Sequence, residues 1–221
     1  MDDPALDPAE HALALRGLAR INRISFASRV HLGPLRSVGA GLDRPVRVLD
    51  VASGSGDIAV SVASRAAAEG IGVELIFADR SPLAVGAACG RARDRGVVAR
   101  GVVVDALAGE LPASDLAICS LFLHHLTEEG AVCLLANIRA SGAVCVSVSD
   151  LRRCAVGTAL ARLVPRLVTR SRVVHTDAVL SARAAWNRRE LAGLAEQAGM
   201  SGSRVRPSFP CRMTLVWRRG D

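Results

Sequence analysis

The feature that most constrains this chain is the short stretch of residues 46–57, which reads Val-Arg-Val-Leu-Asp-Val-Ala-Ser-Gly-Ser-Gly-Asp. Its first six residues are mostly apolar, as expected of a strand buried in a parallel sheet. A loop of small residues follows, and residues 57–69 then have the apolar spacing of a helix that ends at Gly70. A strand, a glycine loop and a helix in this order are typical of the first unit of a nucleotide-binding α/β fold. The glycines allow the backbone to approach a ligand closely, and the helix N-terminus offers free N–H groups.

The loop does not have either of the common phosphate-binding patterns. A Walker loop ends in Gly-Lys-Ser/Thr, and the 221-residue chain contains no lysine. The dinucleotide pattern G-x-G-x-x-G is also absent, because Gly54-x-Gly56 is followed by Ile58 and Ala59 where that pattern requires a third glycine. A nucleotide-like ligand other than ATP or NAD is therefore favoured. The alternative is a glycine turn that serves only packing.

The pattern that does fit is Asp-x-Ala-x-Gly-x-Gly, formed by Asp50, Ala52, Gly54 and Gly56. It resembles the first motif of class I S-adenosylmethionine (SAM) methyltransferases, with Ala52 in place of the usual first glycine. The wording of residues 49–59 resembles most the ubiquinone/menaquinone-type methyltransferases. The resemblance implies SAM as cofactor and S-adenosylhomocysteine as its product. It also implies that the cofactor contacts Asp50, Ala52, Ser53, Gly54, Gly56 and Asp57.

Two further acids follow predicted strands. Residues 72–79 form the second strand, and Asp79, 23 residues after Gly56, is placed to bind ribose hydroxyls, with Arg80 beside it. The third strand is predicted over residues 101–105, and the resemblance assigns Asp105 and Ala106 to the adenine. Each acid also has a structural interpretation, as a solvated strand end or as the start of a turn.

The fourth strand, predicted over residues 115–126, leaves through His124 and His125, and the resemblance adds Ser120 and Leu121 to the cofactor site. A neutral imidazole here has a suitable pKa for a general base, if the acceptor must lose a proton. In a strand that alternates, only one of the two histidines can face the site. The alternative is that neither is catalytic and one caps the strand. Asp150 and His175 are further candidates, and no metal is expected.

The alternation of strands and helices predicts an α/β, Rossmann-like class I methyltransferase fold. We expect a mostly parallel seven-stranded sheet with helices on both faces and a C-terminal antiparallel hairpin, in a single domain covering residues 1–221. Its predicted parts are an N-terminal helical cap (1–45), a SAM-binding core (46–150), a lid insertion (151–187), and a final helix with the hairpin (188–221).

The lid prediction depends on a break in the alternation. Residues 155–168 have the pattern of an apolar helix, and residues 170–175 read as a basic link containing Arg170, Arg172 and His175. Residues 151–221 hold 14 arginines and 4 acids, a net charge of +10. This charge indicates either ordinary solvated arginine or an anionic partner. A mobile lid over a phenol- or quinol-like acceptor that bears an anionic group would suit it.

The predicted function is SAM-dependent methyl transfer to a small molecule, at a phenol-, quinol- or polyketide-like hydroxyl or a ring carbon. One alternative is an RNA or DNA methyltransferase, although aromatic residues for base stacking make up only 3% of the chain. Another is a non-catalytic SAM-binding protein. The six cysteines lack a C-x-x-C pair and predict free buried thiols in a cytoplasmic protein. No membrane span is expected, and the protein should be a monomer or a homodimer.

Overall fold

The computed structural model describes residue 17 and residues 20–22, 26–169 and 171–220. Its strands form one seven-stranded sheet in the order β3-β2-β1-β4-β5-β7-β6. They are β1 (Val46–Val51), β2 (Val73–Asp79), β3 (Ala99–Val103), β4 (Leu116–Ser120), β5 (Cys145–Leu151), β6 (Arg204–Ser208) and β7 (Arg212–Arg218). The first five are parallel, and β7 runs antiparallel between β5 and β6. The predicted fold class and hairpin are confirmed.

Seven α-helices connect or cover these strands in the described part of the chain. They are α1 (Leu32–Gly39), α2 (Asp57–Ala67), α3 (Pro82–Asp94), α4 (Glu128–Ala140), α5 (Ala155–Val168), α6 (Arg172–Ala184) and α7 (Arg188–Gln197). Two 3₁₀ turns add to them, at Ala27–His31 and Leu123–His125. Among the described residues, no helix has the length and apolar character required to cross a bilayer.

The two faces of the sheet bury two separate apolar clusters. On one face α1, α2 and α3 pack on side chains such as Val48, Leu75 and Phe77. On the other face α4 and α7 pack on Val146 and Val148. Because the chain turns from β3 across to β4, the strand order reverses beside β1. Ligands of open α/β sheets bind at such a switch point, outside the carboxyl ends of the strands.

The helix ends mostly follow their sequence signals. Ser81 and Thr127 accept hydrogen bonds from the first turns of α3 and α4, at 3.3 and 3.2 Å. Asn187 and Glu190 form the predicted capping box at the start of α7. The apolar helix predicted over residues 155–168 is confirmed as α5.

Several boundaries differ from the predictions. The third strand spans Ala99–Val103, so Asp105 lies two residues beyond it. The fourth strand stops at Ser120, and His124 and His125 lie in the second 3₁₀ turn. The predicted basic link is wrong from residue 172 onwards, where α6 begins.

Two other expectations are affected by the structure. The N-terminal helix predicted over residues 8–23 falls largely outside the described residues, of which residues 20–22 are helical. The prediction of buried thiols holds for Cys119 and Cys145 but is wrong for Cys133, which is exposed.

Candidate active site

The glycine loop after β1 is held by backbone hydrogen bonds to the neighbouring strand. The N–H of Ser53 donates to the carbonyl of Ala78 (3.2 Å), and that of Gly56 donates to Ser53 (2.9 Å). Ala52, Gly54 and Gly56 all have left-handed backbones, with φ of 54°, 51° and 65°. The loop is therefore a tight turn that depends on residues with small side chains.

The two glycines of the loop have different surroundings. A Cβ added to Gly56 would lie 2.8 Å from both Ala88 Cβ and Phe77 Cε1, so this glycine lets α2 pack against β2 and α3. A Cβ added to Gly54 meets nothing within 4 Å. Gly56 therefore serves the packing of the fold, as the structural interpretation of the loop required, whereas Gly54 borders the open side where a ligand would lie.

Asp79 ties the tip of β2 to the loop. Its carboxylate accepts a hydrogen bond from the Gly54 N–H (2.9 Å) and another from the Ser81 N–H (2.9 Å). A carboxylate has about four acceptor sites. The half-buried Asp79 therefore keeps acceptor capacity for ribose hydroxyls after holding the loop in place. Its neighbour Arg80 is exposed.

Three carboxylates surround the loop. Asp50 is buried near the end of β1, and burial, followed by the charges of Asp57 and Asp79, raises the pKa of Asp50 well above its usual range. Asp57 begins α2 and accepts hydrogen bonds from Ser55 Oγ (3.2 Å) and from Asn22 Nδ2 (3.2 Å). The charge of this part of the site is negative, and a cationic ligand would relieve the repulsion between these groups.

Asp105 and Ala106 shape the turn that follows β3. The Leu107 N–H donates to Asp105 Oδ1 (2.9 Å), which is the local turn that the structural interpretation of this residue predicts. The side-chain amide of Asn137, in α4, donates to the Ala106 carbonyl (2.9 Å) and so holds the turn against this helix. The arrangement leaves Asp105 Oδ2 without a contact in this turn network.

The end of β4 carries Ser120 and Leu121, and Leu121 has a left-handed φ of 58°. The side chain of Ser120 is linked to His31, whose Nε2 lies 3.0 Å from Ser120 Oγ and whose Nδ1 lies 2.8 Å from Ser147 Oγ. Burial, and next the charge of Arg212, lowers the pKa of His31 to about 3. His31 is therefore a neutral bridge between two strands. His31 could not be recognised in the sequence, because a lone histidine carries no motif.

His124 forms a dyad with Asp150. Its Nδ1 lies 2.6 Å from Asp150 Oδ1, and its backbone N–H donates to Asp150 Oδ2 (3.0 Å). Burial alone would lower the pKa of His124, but the charge of Asp150 and the hydrogen bond to it outweigh burial and raise that pKa. Since the carboxylate fixes the proton on Nδ1, Nε2 keeps its lone pair for an incoming proton. This is the geometry of an oriented general base.

His125 lies beside this dyad. Its ring centroid is 4.2 Å from that of His124, and the residue is exposed. The two histidines lie in a 3₁₀ turn and not in a strand, so the expected strand alternation does not apply to them; His124 is buried and His125 is exposed. Asp150, only a secondary candidate in the sequence, proves to be the partner of His124.

Part of the segment predicted as a lid, residues 151–187, lies against this histidine turn. Trp186, between α6 and α7, donates its indole N–H to the Leu123 carbonyl (3.1 Å). The α6 helix contacts the same turn and packs on α5. His175 Nε2 is 2.8 Å from the Thr169 carbonyl, so this imidazole fastens the start of α6. Arg170 lies outside the described residues.

No group of three or more His, Cys, Asp or Glu side chains within the described ranges is arranged to hold a metal ion. The combination of His124, His125 and Asp150 therefore amounts to a hydrogen-bonded dyad with a neighbouring ring.

The fold is similar to those of solved methyltransferase structures. NcsB1, an O-methyltransferase from neocarzinostatin biosynthesis crystallised with SAM and 2-hydroxy-5-methyl naphthoic acid, aligns with a TM-score of 0.68 at 20% identity, over 96% of this chain and 59% of its own. The SAM-dependent methyltransferase SibL aligns with a TM-score of 0.68 at 19% identity, over 99% and 60%. Human N-acetylserotonin methyltransferase, in complex with SAM, aligns with a TM-score of 0.58 at 19% identity, over 91% and 56%.

These similarities show the class I methyltransferase fold. The chain spans between 56% and 60% of the length of these three proteins. No protein-family model matches the sequence, and no curated protein sequence matches it.

Proposed function

We propose that this protein binds SAM at the glycine loop and transfers its methyl group to a hydroxyl of a small aromatic acceptor. The observation that carries the proposal is the sign of the charge around the loop. Asp57 and Asp79 place negative charge beside the loop, and burial, followed by these two charges, raises the pKa of Asp50 well above its usual range. Such a loop repels the phosphates of ATP or NAD and attracts a sulfonium that also carries an ammonium group.

The residues around the loop fit SAM in shape as well as in charge. Gly54 borders open space, and the buried Ser53 Oγ has no hydrogen-bond partner among the described residues, so one polar atom awaits a ligand. We assign the ribose to Asp79, the adenine to Asp105 and Ala106, and the methionine end to the loop and to Ser120 and Leu121. SAM supplies an electrophilic methyl group, so the protein contributes mainly positioning, worth up to about 7–11 kcal/mol in favourable cases.

We assign the role of general base to His124. Its Nε2 would accept the proton of the acceptor hydroxyl as the oxygen forms its bond to the methyl carbon. The bond between that carbon and the sulfonium sulfur would break at the same time, S-adenosylhomocysteine would leave with the electron pair, and Asp150 would stabilise the imidazolium that results. His124 later releases this proton to solvent. Asp150 does not touch the acceptor and acts as a positioning residue, since it holds the ring through Nδ1. The assignment to His124, with the exposed His125 as its neighbour, follows from this carboxylate contact.

The neighbours support the class of acceptor. NcsB1 was crystallised with a hydroxynaphthoic acid, and the loop of this chain resembles those of quinone-type methyltransferases. A phenol-, quinol- or polyketide-like hydroxyl is consistent with both. We further propose that α5 and α6 act as a lid that excludes water from the methyl transfer, because α6 lies against the histidine turn.

Calorimetry with SAM, S-adenosylhomocysteine, ATP and NAD tests the cofactor proposal. We expect one site per chain for SAM and no binding of the two phosphorylated ligands. Replacing Asp79 by Asn should weaken SAM binding by about 1–3 kcal/mol through lost charged hydrogen bonds. Replacing Asp94, exposed at the end of α3, by Asn should have no effect and serves as the control. Binding of NAD or ATP without SAM would overturn the proposal.

Turnover separates an enzyme from a SAM-binding protein without activity. Methyl transfer from labelled SAM to a panel of phenols should be lost in His124→Ala by about 10²–10⁴-fold, with unchanged SAM affinity. The variant His125→Ala is the matched control, because it changes the neighbouring ring and leaves the dyad intact. Equal activity in His124→Ala and the wild type would remove the general base from the proposal.

A further inference from the structure

Arg212 is a buried cation to which neither the cofactor proposal nor the base assigns a role. It is the first residue of β7 and is only 4% exposed. Its Nη2 donates to Asn22 Oδ1 (3.3 Å), whereas its Nη1 is buried with no hydrogen-bond partner among the described residues. None of the ion pairs between described residues includes it. The Nη1 group of Arg212 is therefore a buried hydrogen-bond donor that could bind an acceptor atom of a ligand.

The environment leaves Arg212 charged. Burial lowers its pKa to about 10, and the charges of Asp150 and Asp57 act in the opposite direction. Both oxygens of Asp150 already accept hydrogen bonds, from His124 and from the Leu151 N–H. Asp150 and Asp57 therefore stabilise the positive charge of Arg212 through longer-range attraction, without a hydrogen bond to its guanidinium. A buried donor without a partner is costly to the fold, and such groups persist where a ligand completes them.

The position of Arg212 relative to the proposed site points to the acceptor. The residues assigned to the adenosine lie at β1, β2 and β3, on one side of β4. Arg212 pairs with Leu151 on the other side of β4, one strand beyond β5. Neighbouring strands are about 4.8 Å apart, so Arg212 lies roughly two strand spacings from β4, away from the adenosine.

The proposed base and Arg212 both lie near the carboxyl end of β5, on opposite faces of the sheet. Asp150, which holds His124, and Leu151, which pairs with Arg212, are consecutive residues of β5 and point to opposite faces of the sheet. The base thus approaches the carboxyl edge from one face and the guanidinium from the other. On the face of Arg212, the buried Ser149 Oγ also has no hydrogen-bond partner within the described part of the chain.

We propose that Arg212 binds a carboxylate of the acceptor and so orients its hydroxyl towards His124. This inference rests on the proposed function and deepens it, because it defines the substrate class as aromatic hydroxy acids. The other source of a carboxylate is the methionine end of SAM. Hydrogen bonds link Arg212 through Asn22 to Asp57 at the start of α2, next to the proposed SAM site. Binding of the SAM carboxylate by Arg212 is therefore the competing outcome of the test.

The experiment compares salicylate, 2-hydroxynaphthoate and benzoate with their carboxamides, by calorimetry on protein saturated with S-adenosylhomocysteine. The wild type should bind at least one carboxylate about tenfold or more tightly than its amide, as expected for charge-assisted hydrogen bonds. Arg212→Gln should lose this preference, and Arg212→Lys should keep part of it, since a lysine retains the charge but not the forked donors. Arg206→Gln, at an exposed position of β6, should behave as the wild type.

Separate measurements keep the two proposals distinguishable. S-adenosylhomocysteine should bind with equal affinity to the wild type, Arg212→Gln and Arg212→Lys, which also shows that the variants fold. The Tm of ligand-free Arg212→Gln should equal or exceed that of the wild type, because the substitution removes an unpaired buried charge. Weaker SAM binding in Arg212→Gln with an intact carboxylate preference would assign the arginine to the cofactor and overturn the inference. A preference that survives in Arg212→Gln, or no binding of any carboxylate by the wild type, would also overturn it. Failure of SAM itself to bind would instead overturn the proposed function.

Discussion

An alanine at Gly56 should mainly reduce the stability of the fold, whereas an alanine at Gly54 should mainly weaken the binding of SAM. At Gly56 the new Cβ would lie 2.8 Å from Ala88 Cβ and from Phe77 Cε1, at a φ of 65°. A left-handed backbone costs an L-residue about 1–2 kcal/mol, and overpacking costs typically about 1–3 kcal/mol more. We therefore expect Gly56→Ala to lower the free energy of unfolding by about 2–5 kcal/mol.

At Gly54 only the cost of the left-handed backbone applies, because nothing lies within 4 Å of the new Cβ. Gly54→Ala should lower the free energy of unfolding by only about 1–2 kcal/mol. Its methyl group would instead enter the space proposed for SAM, and we expect SAM affinity to fall by about 1–3 kcal/mol.

Urea unfolding of the ligand-free protein and calorimetry with SAM measure these two quantities. The m-value should stay constant in both variants, so that the shift of the midpoint reports stability. The neighbouring Ala52 shows that the loop already contains one alanine with a left-handed backbone, at a φ of 54°. Equal destabilisation at the two glycines, or unchanged SAM affinity in Gly54→Ala, would refute the division of roles between them.

Three further predictions concern carboxylates. In Asp150→Asn the charge that raises the pKa of His124 is lost, so the pH of half-maximal turnover should fall while kcat drops by roughly 10²-fold or more; a pH–rate profile that does not move would contradict this. The hydrogen bond from Arg44 holds the pKa of Asp115 well below its usual range, so this carboxylate stabilises the protein at neutral pH and its contribution is lost as the pH falls below about 4. Asp115→Asn should be less stable at pH 7 and should lose less of its stability on acidification, as followed by thermal unfolding across pH. Asp50→Asn removes a carboxyl whose ionisation burial opposes, so the ligand-free protein should be as stable as the wild type or more stable at pH 7, while SAM binding weakens; unaltered SAM binding would exclude Asp50 from the site.

The sequence predicted the buried strands well because their environment is uniform. The strands β1, β2, β4 and β5 are apolar runs, and each is buried over most of its length. One exception is β3, predicted two residues too late. It lies at an edge of the sheet and none of its residues is fully buried, so its apolar pattern carries little information on its bounds.

The end of β4 was mispredicted for a different physical reason. The apolar pattern runs on through Phe122 and Leu123, and Leu123 is fully buried, which is equally true of a strand and of a 3₁₀ turn that packs into the core. Periodicity cannot separate these two over three residues. Only the tertiary contact with Asp150 shows that the turn holds His124 in place.

Arg212 could not be distinguished in the sequence from the other arginines of its segment. Residues 151–221 contain 14 arginines including Arg212, and the usual position of an arginine is at the surface. Its burial results from its place in the antiparallel pair with Leu151 and from the cover that Asn22 provides, two contacts between parts of the chain that are far apart in sequence. Of the basic residues that the sequence did single out, Arg172 and His175 lie at the start of α6, and Arg170 lies outside the described residues.

The charges proposed to meet the two ligands differ in sign. Acids surround the loop that follows β1, whereas the buried guanidinium of Arg212 lies beyond β5. A cationic methyl donor and an anionic acceptor would thus each meet the opposite charge, and each would be repelled from the position of the other. Because Arg212 is buried, solvent and salt screen its interactions less than they screen those of the arginines at the surface. The same difference would oppose the binding of two SAM molecules or of two anionic acceptors, so the proposed donor and the proposed acceptor would each bind at one part of the edge, with the proposed base between them.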